Sequence, residues 1–340
     1  ALIAAIAAAA FAPVVIMAGL IDVPNRPRKI HTDPTPTSGG IAIGFGFALA
    51  LAAILFWPGG PLANVLDGDL AKQFAFAVAF SLAALLLGLW DDLHPLNAYW
   101  KTGLMVALSV GVTVFVARAD FLPIAGSYTL QLEGWVAVAG SAAWIFVLMN
   151  STNFMDGLDL MTAAEAVPVS AAIVLLGWLG DVSAPATIVA AALFGALLGF
   201  VPFNRPVAKI FLGDVGSLPI GLLLGWCLLQ LALHQQFAAA VLLPLYYLAD
   251  TTVTLFRRMW RREPFWAAHR SHCYQQATDN GFTVWQVVGE VFLLNVGLAA
   301  LAIGSTMTSS SAISSLLVVI GCMATALVMR HFSRKRSSVG

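Results

Sequence analysis

The stretch LLLGLWDDLHPL, residues 85–96, closes an apolar run with two adjacent carboxylates, Asp91 and Asp92. Membrane-edge positions more often carry Lys, Arg, Trp or Tyr. Two like charges there cost free energy, so either water or a cation must meet them. The run before them, 71–90, has the length a helix needs to cross a bilayer core of roughly 30 Å. One short stretch therefore sets two expectations: a membrane span, and an acid pair at its end that seeks a cation.

The whole chain agrees with the first. Hydrophobic residues make up 60% of its 340 residues and charged residues 10%, with a mean hydropathy of +0.87. A soluble domain carries about 25% charged residues, so this chain has too little polar surface to face water all round. Apolar runs recur at 2–20, 39–57, 71–90, 102–117, 134–150, 161–179, 186–201, 217–233, 238–256, 284–304 and 312–329. The expected fold is an all-α polytopic integral membrane protein, a single transmembrane domain over 1–340 with about eleven helices. A count of ten follows if one of the Gly- and Pro-containing runs, 186–201 or 217–233, does not span. The first run has no basic segment before it and reads as a span, not as a cleaved leader.

Charge distribution orients the spans. With the N-terminus periplasmic, the loops 21–38, 91–101, 202–216 and 257–283 and the C-terminal tail face the cytoplasm. They hold every Lys and Arg of the chain except Lys72 and Arg118, as the positive-inside rule requires of an odd span count. The C-terminus is then cytoplasmic, and the basic tail HFSRKRSSVG lies near anionic lipid. Cys227, Cys273 and Cys322 are too scattered for a disulfide framework or a zinc site. The outer segment 118–133, with its alternating SYTLQLEGW, suggests a short surface hairpin. No internal repeat is evident, which weakens a transporter built of two related halves.

Residues with chemical potential gather on the cytoplasmic side, in the loops 21–38, 91–101, 150–160, 202–217 and 257–283. They include RPRKIHTDPTPTSGG (26–40), the acid pair followed by Lys101, NSTNFMDGLDLM (150–161), FNRPVAKIFLGDVGS (203–217) and RRMWRREPFWAAHRSHCYQ (257–275). Singly, each has a plain alternative. Asp91 and Asp92 could form a solvated turn. Asn150, Asn153, Asp156 and Asp159 recur every three residues, as one helix face or as caps. GDVGS favours phosphate binding only if a helix starts right after it. His269, Arg270 and His272 could be an exposed basic loop. Together, acids beside apolar walls need a cation among them. Oxygen and amide donors without Cys select a hard ion, Mg²⁺ or Mn²⁺. With Arg, Lys, His and Gly turns added, the set suits a pyrophosphate, and the membrane setting suggests a lipid as second reactant.

These stretches resemble those of the polyprenyl-phosphate N-acetylhexosamine-1-phosphate transferases. The resemblance rests on PTPTSGG (34–40), GLWDDLHPL with Lys101, NSTNFMDGLDLM, PFNRPVAKIFLGDVGSLPIG (202–221), ADTTVTLFRR (249–258) and AHRSHCYQ (268–275), in the family's order. It implies transfer of a sugar 1-phosphate from a UDP-N-acetylhexosamine (GlcNAc, FucNAc or QuiNAc) to undecaprenyl phosphate in a bacterial inner membrane, with release of UMP. It further implies Asp214 as principal Mg²⁺ ligand with Asn153 as second, and Phe211 stacking on uracil. Asp159 falls near the uracil edge and Asp156 in the same wall. Lys101, His269, Arg270 and His272 form a cationic clamp on the phosphates, with Asn150 in the same donor loop. Asp91 engages the lipid phosphate, and Asp92 tunes the field or helps hold the metal. Relatives make a homodimer a reasonable expectation, although no residue demands it.

One departure bears on the branch. HRSHCYQ interposes Arg270 and Ser271 where the phospho-MurNAc-pentapeptide translocases carry consecutive histidines, which places the chain nearer the O-antigen-initiating branch. The rival from another class is a transporter or lipid flippase using Glu165, Asp250 and Glu290, acids that fall inside apolar runs.

Overall fold

A computed structural model describes residues 1–18, 20–22, 35–56, 68–125, 128–264 and 269–336. The chain order is α1 (Leu2–Ala18), β1 (Leu20–Asp22), β2 (Thr35–Thr37), α2 (Gly40–Leu55), α3 (Gly68–Leu93), α4 (Ala98–Phe115), β3 (Phe121–Ala125), β4 (Tyr128–Gln131), α5 (Gly134–Met155) and α6 (Met161–Leu179). It continues with α7 (Ala184–Asn204), α8 (Asp214–Leu233), α9 (Phe237–Leu242), α10 (Leu245–Trp260), α11 (Cys273–Asp279), α12 (Val284–Thr306) and α13 (Ser311–Phe332).

Helix α8 is the axis of the bundle. Its sequence is apolar on every face, the signature of a helix surrounded by others, and Val215 through Ala232 are all buried. Helices α3 and α5 supply its main contacts, with α2, α6, α7 and α9 around them. Gly88 explains how α3 comes so near: a Cβ there would fall on the backbone of Asp214 and Val215. Because Gly88 lies one turn before Asp91 and Asp92, this close approach delivers the acid pair to the start of α8.

Among the described residues, eight helices are long and apolar enough to cross a membrane: α3, α4, α5, α6, α7, α8, α12 and α13. Helices α1 and α2 are apolar but shorter. The chain is a multi-pass, all-α membrane protein. Many large apolar side chains point outward, among them Trp178 at 88% exposure and Leu327 at 65%, as lipid-facing surfaces do. Antiparallel β3 and β4 form the expected hairpin, with Phe121 opposite Gln131.

The run 238–256, expected as one span, is two helices. Leu243 and Pro244 separate α9 from α10, and proline lacks the N–H that would continue the first helix. Helix α10 is amphipathic with its faces reversed from those of a soluble protein. Tyr246, Tyr247, Asp250, Thr251 and Thr254 are buried, whereas Val253, Phe256, Met259 and Trp260 are exposed. Averaged hydropathy cannot distinguish such a helix from a simple span. Arg26, Arg28, Lys29 and His31 of the first loop lie outside the described residues.

Candidate active site

Four helix ends build the site. Asp91 sits in the last turn of α3 and Lys101 in the first turn of α4. Asp91 Oδ1 accepts the backbone N–H of Leu96 at 2.7 Å, which closes the turn between the helices. Asn97 caps α4 by accepting from the N–H of Tyr99 at 2.9 Å. With both ends fixed, the Lys101 ammonium lies 2.9 Å from Asp91 Oδ2.

Lys101 also pairs with Asp214 Oδ2 and donates to Asn153 Oδ1 at 3.3 Å. The Asn153 amide donates from Nδ2 to Asp214 Oδ1 at 2.6 Å and to Ser217 Oγ at 3.0 Å. Residues from three loops of the sequence thus meet at one cation, and each carboxylate's repulsion of the other is offset by the ammonium between them. Among the described residues, no group of three or more His, Cys, Asp or Glu side chains is placed to hold a metal ion. What converges is two carboxylates and one amide oxygen. That donor set fits an open hard-cation site completed by phosphate oxygens and water, the usual manner of Mg²⁺, and not a closed protein cage.

Asp92 is engaged differently from its neighbour. Its Oδ1 accepts the backbone N–H of Asp214 at 3.0 Å and its Oδ2 that of Val215 at 3.1 Å. Asp92 therefore caps α8, satisfying two donors at a helix start and placing negative charge at the positive end of the dipole. Helix α8 begins inside GDVGS, at Asp214, so its first N–H groups face Asp92 and not an open phosphate cradle. Gly213 makes this fit. Its φ is +75°, and a Cβ would lie 2.6 Å from Asp92 Oδ2 and 2.9 Å from Thr37 Oγ1.

The flanking loops are stitched together by backbone. Phe211 donates its N–H to Pro36 and accepts from Gly39, both at 2.8 Å, and Gly40 donates to Leu212 at 2.9 Å. PTPTSGG and IFLGD thereby run side by side. Asp159 Oδ2 accepts the N–H of Ala208 at 3.0 Å. Asn204 accepts from Leu160 N at 2.8 Å and donates to the Ile210 carbonyl at 2.9 Å. Asp156 accepts from the Thr162 hydroxyl at 2.7 Å. Burial raises the Asp156 carboxyl to about 7 against that hydrogen bond, with the charges of Asp214, Asp92 and Asp159 adding to the rise.

The histidine segment approaches from the other side. The ring of Phe154, next to Asn153, lies 6.2 Å from His269 and 5.8 Å from His272. Burial, then the neighbouring His272 and Arg258, lower His269 to about 4, so this ring is neutral near pH 7, unlike the cationic role the resemblance implies. Arg270 pairs with Asp279 at 3.2 Å. Asn150 lies half-buried on α5, one turn before Asn153.

The family described as glycosyl transferase family 4 matches residues 74–232. A decaprenyl-phosphate N-acetylglucosaminephosphotransferase of Mycolicibacterium smegmatis is 35% identical over 215 residues, 59% of this chain and 50% of the relative. A phospho-N-acetylmuramoyl-pentapeptide-transferase of Limosilactobacillus fermentum is 29% identical over 80% of this chain and 83% of that protein. A probable undecaprenyl-phosphate N-acetylglucosaminyl 1-phosphate transferase of Bacillus subtilis is 26% identical over 83% of this chain and 76% of that one. Residues 74–232 are thus similar to glycosyl transferase family 4. Against the mycolicibacterial protein, the match spans half the relative's length.

The family 4 segment contains Asp91, Asp92, Lys101, Asn150, Asn153, Asp156, Asp159, Phe211 and Asp214. His269, Arg270 and His272 lie beyond it. Three structural contributors to this site went unrecognised in the sequence: Ser217, Asn204 and Asp250. Ser217 and Asn204 stood within quoted motifs, but nothing in their type marks a bridging role. The three acids of the transporter reading each have their own surroundings. Asp250 is enclosed in hydrogen bonds to the histidine segment, Glu290 lies 3.7 Å from His331, and Glu165 is buried in α6.

Proposed function

We propose that this protein is a member of glycosyl transferase family 4 and transfers an N-acetylhexosamine 1-phosphate from a UDP-sugar to undecaprenyl phosphate, releasing UMP and leaving a lipid-linked pyrophosphoryl sugar. The observation that carries this reading is the meeting of Asp91, Asn153 and Asp214 on Lys101 at the ends of four membrane-spanning helices. A charged, oxygen-rich site at a membrane edge suits a reaction between a water-soluble pyrophosphate and a lipid phosphate. The named activities of the mycolicibacterial and Bacillus relatives support the same reaction class and favour GlcNAc as the sugar.

In this reading an oxygen of the lipid phosphate attacks the phosphorus that bears the sugar. The bond from that phosphorus to the bridging oxygen breaks, and UMP leaves with the oxygen and its electron pair. The attacking phosphate is already an anion near neutral pH, so positioning and charge neutralisation supply most of the catalysis. Lys101 offsets the accumulating negative charge. Asp91, which holds Lys101, faces the acceptor phosphate and keeps that ammonium aimed at it. Asp214, Asn153 and Asp91 would hold Mg²⁺ or Mn²⁺, which when bound neutralises the pyrophosphate. Phe211 is assigned to the uracil face, with Asp156 and Asp159 nearby, and His269 contributes as a neutral hydrogen-bonding ring.

The setting proposed is the cytoplasmic face of a bacterial inner membrane, at the first membrane step of O-antigen or a related cell-surface polysaccharide. The test supplies purified protein with undecaprenyl phosphate, Mg²⁺ and a panel of UDP-N-acetylhexosamines that includes UDP-MurNAc-pentapeptide. UMP release from UDP-GlcNAc that EDTA abolishes supports the reading. Absence of UMP with every donor, or a rate indifferent to EDTA, contradicts it.

A further inference from the structure

Asp250 is fully buried in α10, yet it gathers donors from its own helix, from His272 and from the start of α11. Its Oδ1 accepts from Thr254 Oγ1 at 3.1 Å and from the Cys273 N–H at 2.9 Å, and lies 3.3 Å from His272 Nδ1. Its Oδ2 accepts from the Tyr274 N–H at 3.2 Å and from the Tyr246 hydroxyl at 3.4 Å. A carboxylate so enclosed persists because its lone pairs are satisfied. Two of those donors are the first N–H groups of α11, a helix whose own N-cap, His272, makes no side-chain cap bond. Asp250 is therefore a cap supplied from another helix.

The segment it holds bears on the site. His272 is 2% exposed, 4.9 Å from His269 ring to ring and 5.8 Å from Phe154. Tyr274 donates its hydroxyl to the Phe154 carbonyl at 2.9 Å. The next residue back, Asn153, holds Asp214. A continuous chain of contacts thus runs from Asp250 through His272 and Tyr274 to Phe154, Asn153 and Asp214.

We infer that Asp250 is a positioning residue for the transfer proposed above: it fixes the His272 ring through Nδ1 and seats the histidine segment against the α5 turn that carries Asn153. A carboxylate facing Nδ1 makes that nitrogen the hydrogen-bond donor and so selects the Nδ1–H tautomer. This role rests on the proposed reaction, but the hydrogen bond itself is testable without turnover.

The experiment uses the full chain in detergent or nanodiscs, labelled with ¹⁵N-histidine, with wild type, Asp250→Asn, His272→Gln and the double variant compared. Nitrogen chemical shifts report the His272 tautomer, and UMP release reports kcat and KM. Expected are an Nδ1–H tautomer in wild type and its loss in Asp250→Asn. The kcat of Asp250→Asn should fall about 10–100-fold, as for other residues that orient a site histidine, with a smaller change in KM. On the His272→Gln background the same substitution should cost little more, because both act as one unit. A wild-type His272 protonated only at Nε2 overturns the inference even if Asp250→Asn does not fold. So do single losses that multiply in full in the double variant. Failure of the parent reading looks different: wild type releases no UMP while the tautomer measurement still stands.

Discussion

Asp92 Oδ1 accepts the backbone N–H of Asp214 at 3.0 Å, whereas Asp91, the residue before it, spends Oδ2 on the Lys101 ammonium at 2.9 Å. Adjacent residues on a helix point about 100° apart, so the pair divides its work. One acid secures the start of α8 and the other enters the charge cluster.

This division separates two substitutions. Asp92→Ala removes the acceptor of two helix-start N–H groups and should cost about 1–2 kcal/mol of stability. Thermal unfolding in detergent should show the loss, with activity falling alongside. Asp91→Asn should abolish UMP release while the melting temperature stays closer to wild type. Equal effects of both substitutions on melting would refute the assignment.

Lys101 holds Asp91 and Asp214 together, so Lys101→Met leaves two carboxylates facing each other. Breaking a fully buried pair costs about 3–5 kcal/mol, and solvent access reduces the expected loss here to about 2–3 kcal/mol. The side chains concerned are 12–24% exposed. Because the vacated position is ringed by oxygen, Mg²⁺ should raise the melting temperature of Lys101→Met more than that of wild type. Identical shifts in the two proteins would argue against cation binding between these acids.

Gly213 should tolerate no side chain. Its φ of +75° and the nearness of Asp92 and Thr37 make Gly213→Ala strained and crowded together, an expected loss of about 1–3 kcal/mol. Gly103→Ala, where an added Cβ meets nothing within 4 Å, is the matched control. Comparable unfolding temperatures for the two variants would contradict the packing described.

Asp156 gives a pH dependence of definite sign. Its carboxyl is raised from 3.8 to about 7, so the folded state binds a proton that the unfolded state has released. Its contribution to stability is full below pH 3.8 and is lost as pH rises toward 7. Asp156→Asn should therefore be more stable relative to wild type at pH 8 than at pH 4. His269, lowered from 6.5 to about 4, acts in the opposite sense: its contribution is full above pH 6.5 and is lost as pH falls toward 4. His269→Gln should accordingly gain on wild type at the acid end. Differences flat with pH in both variants would contradict the environments assigned to these groups.

The sequence made the membrane spans legible because burial in lipid and burial in protein both demand long apolar runs. Residues 238–256 defeated that reading, since α10 turns its polar face inward and its apolar face outward, and an average over the segment conceals the difference. In the site, Asp91, Lys101, Asn153 and Asp214 stood out because charge and amide groups are rare in so apolar a chain. The cap made by Asp92 could not be read, because its partners lie more than a hundred residues away along the chain. Asp250 was visible only as an acid in an apolar run, which suits a transporter's pathway as well as a buried cap; the hydrogen bonds to Cys273 and Tyr274 decide between them.

Sugar 1-phosphate transfer is tested most directly by following the donor's β-phosphate. UDP-GlcNAc radiolabelled at that phosphorus is incubated with the purified protein, undecaprenyl phosphate and Mg²⁺, and the label is traced between lipid and water. The expected result is label in the lipid fraction with unlabelled UMP in the aqueous one. Label that stays in water as UDP, with or without sugar reaching the lipid, would contradict it.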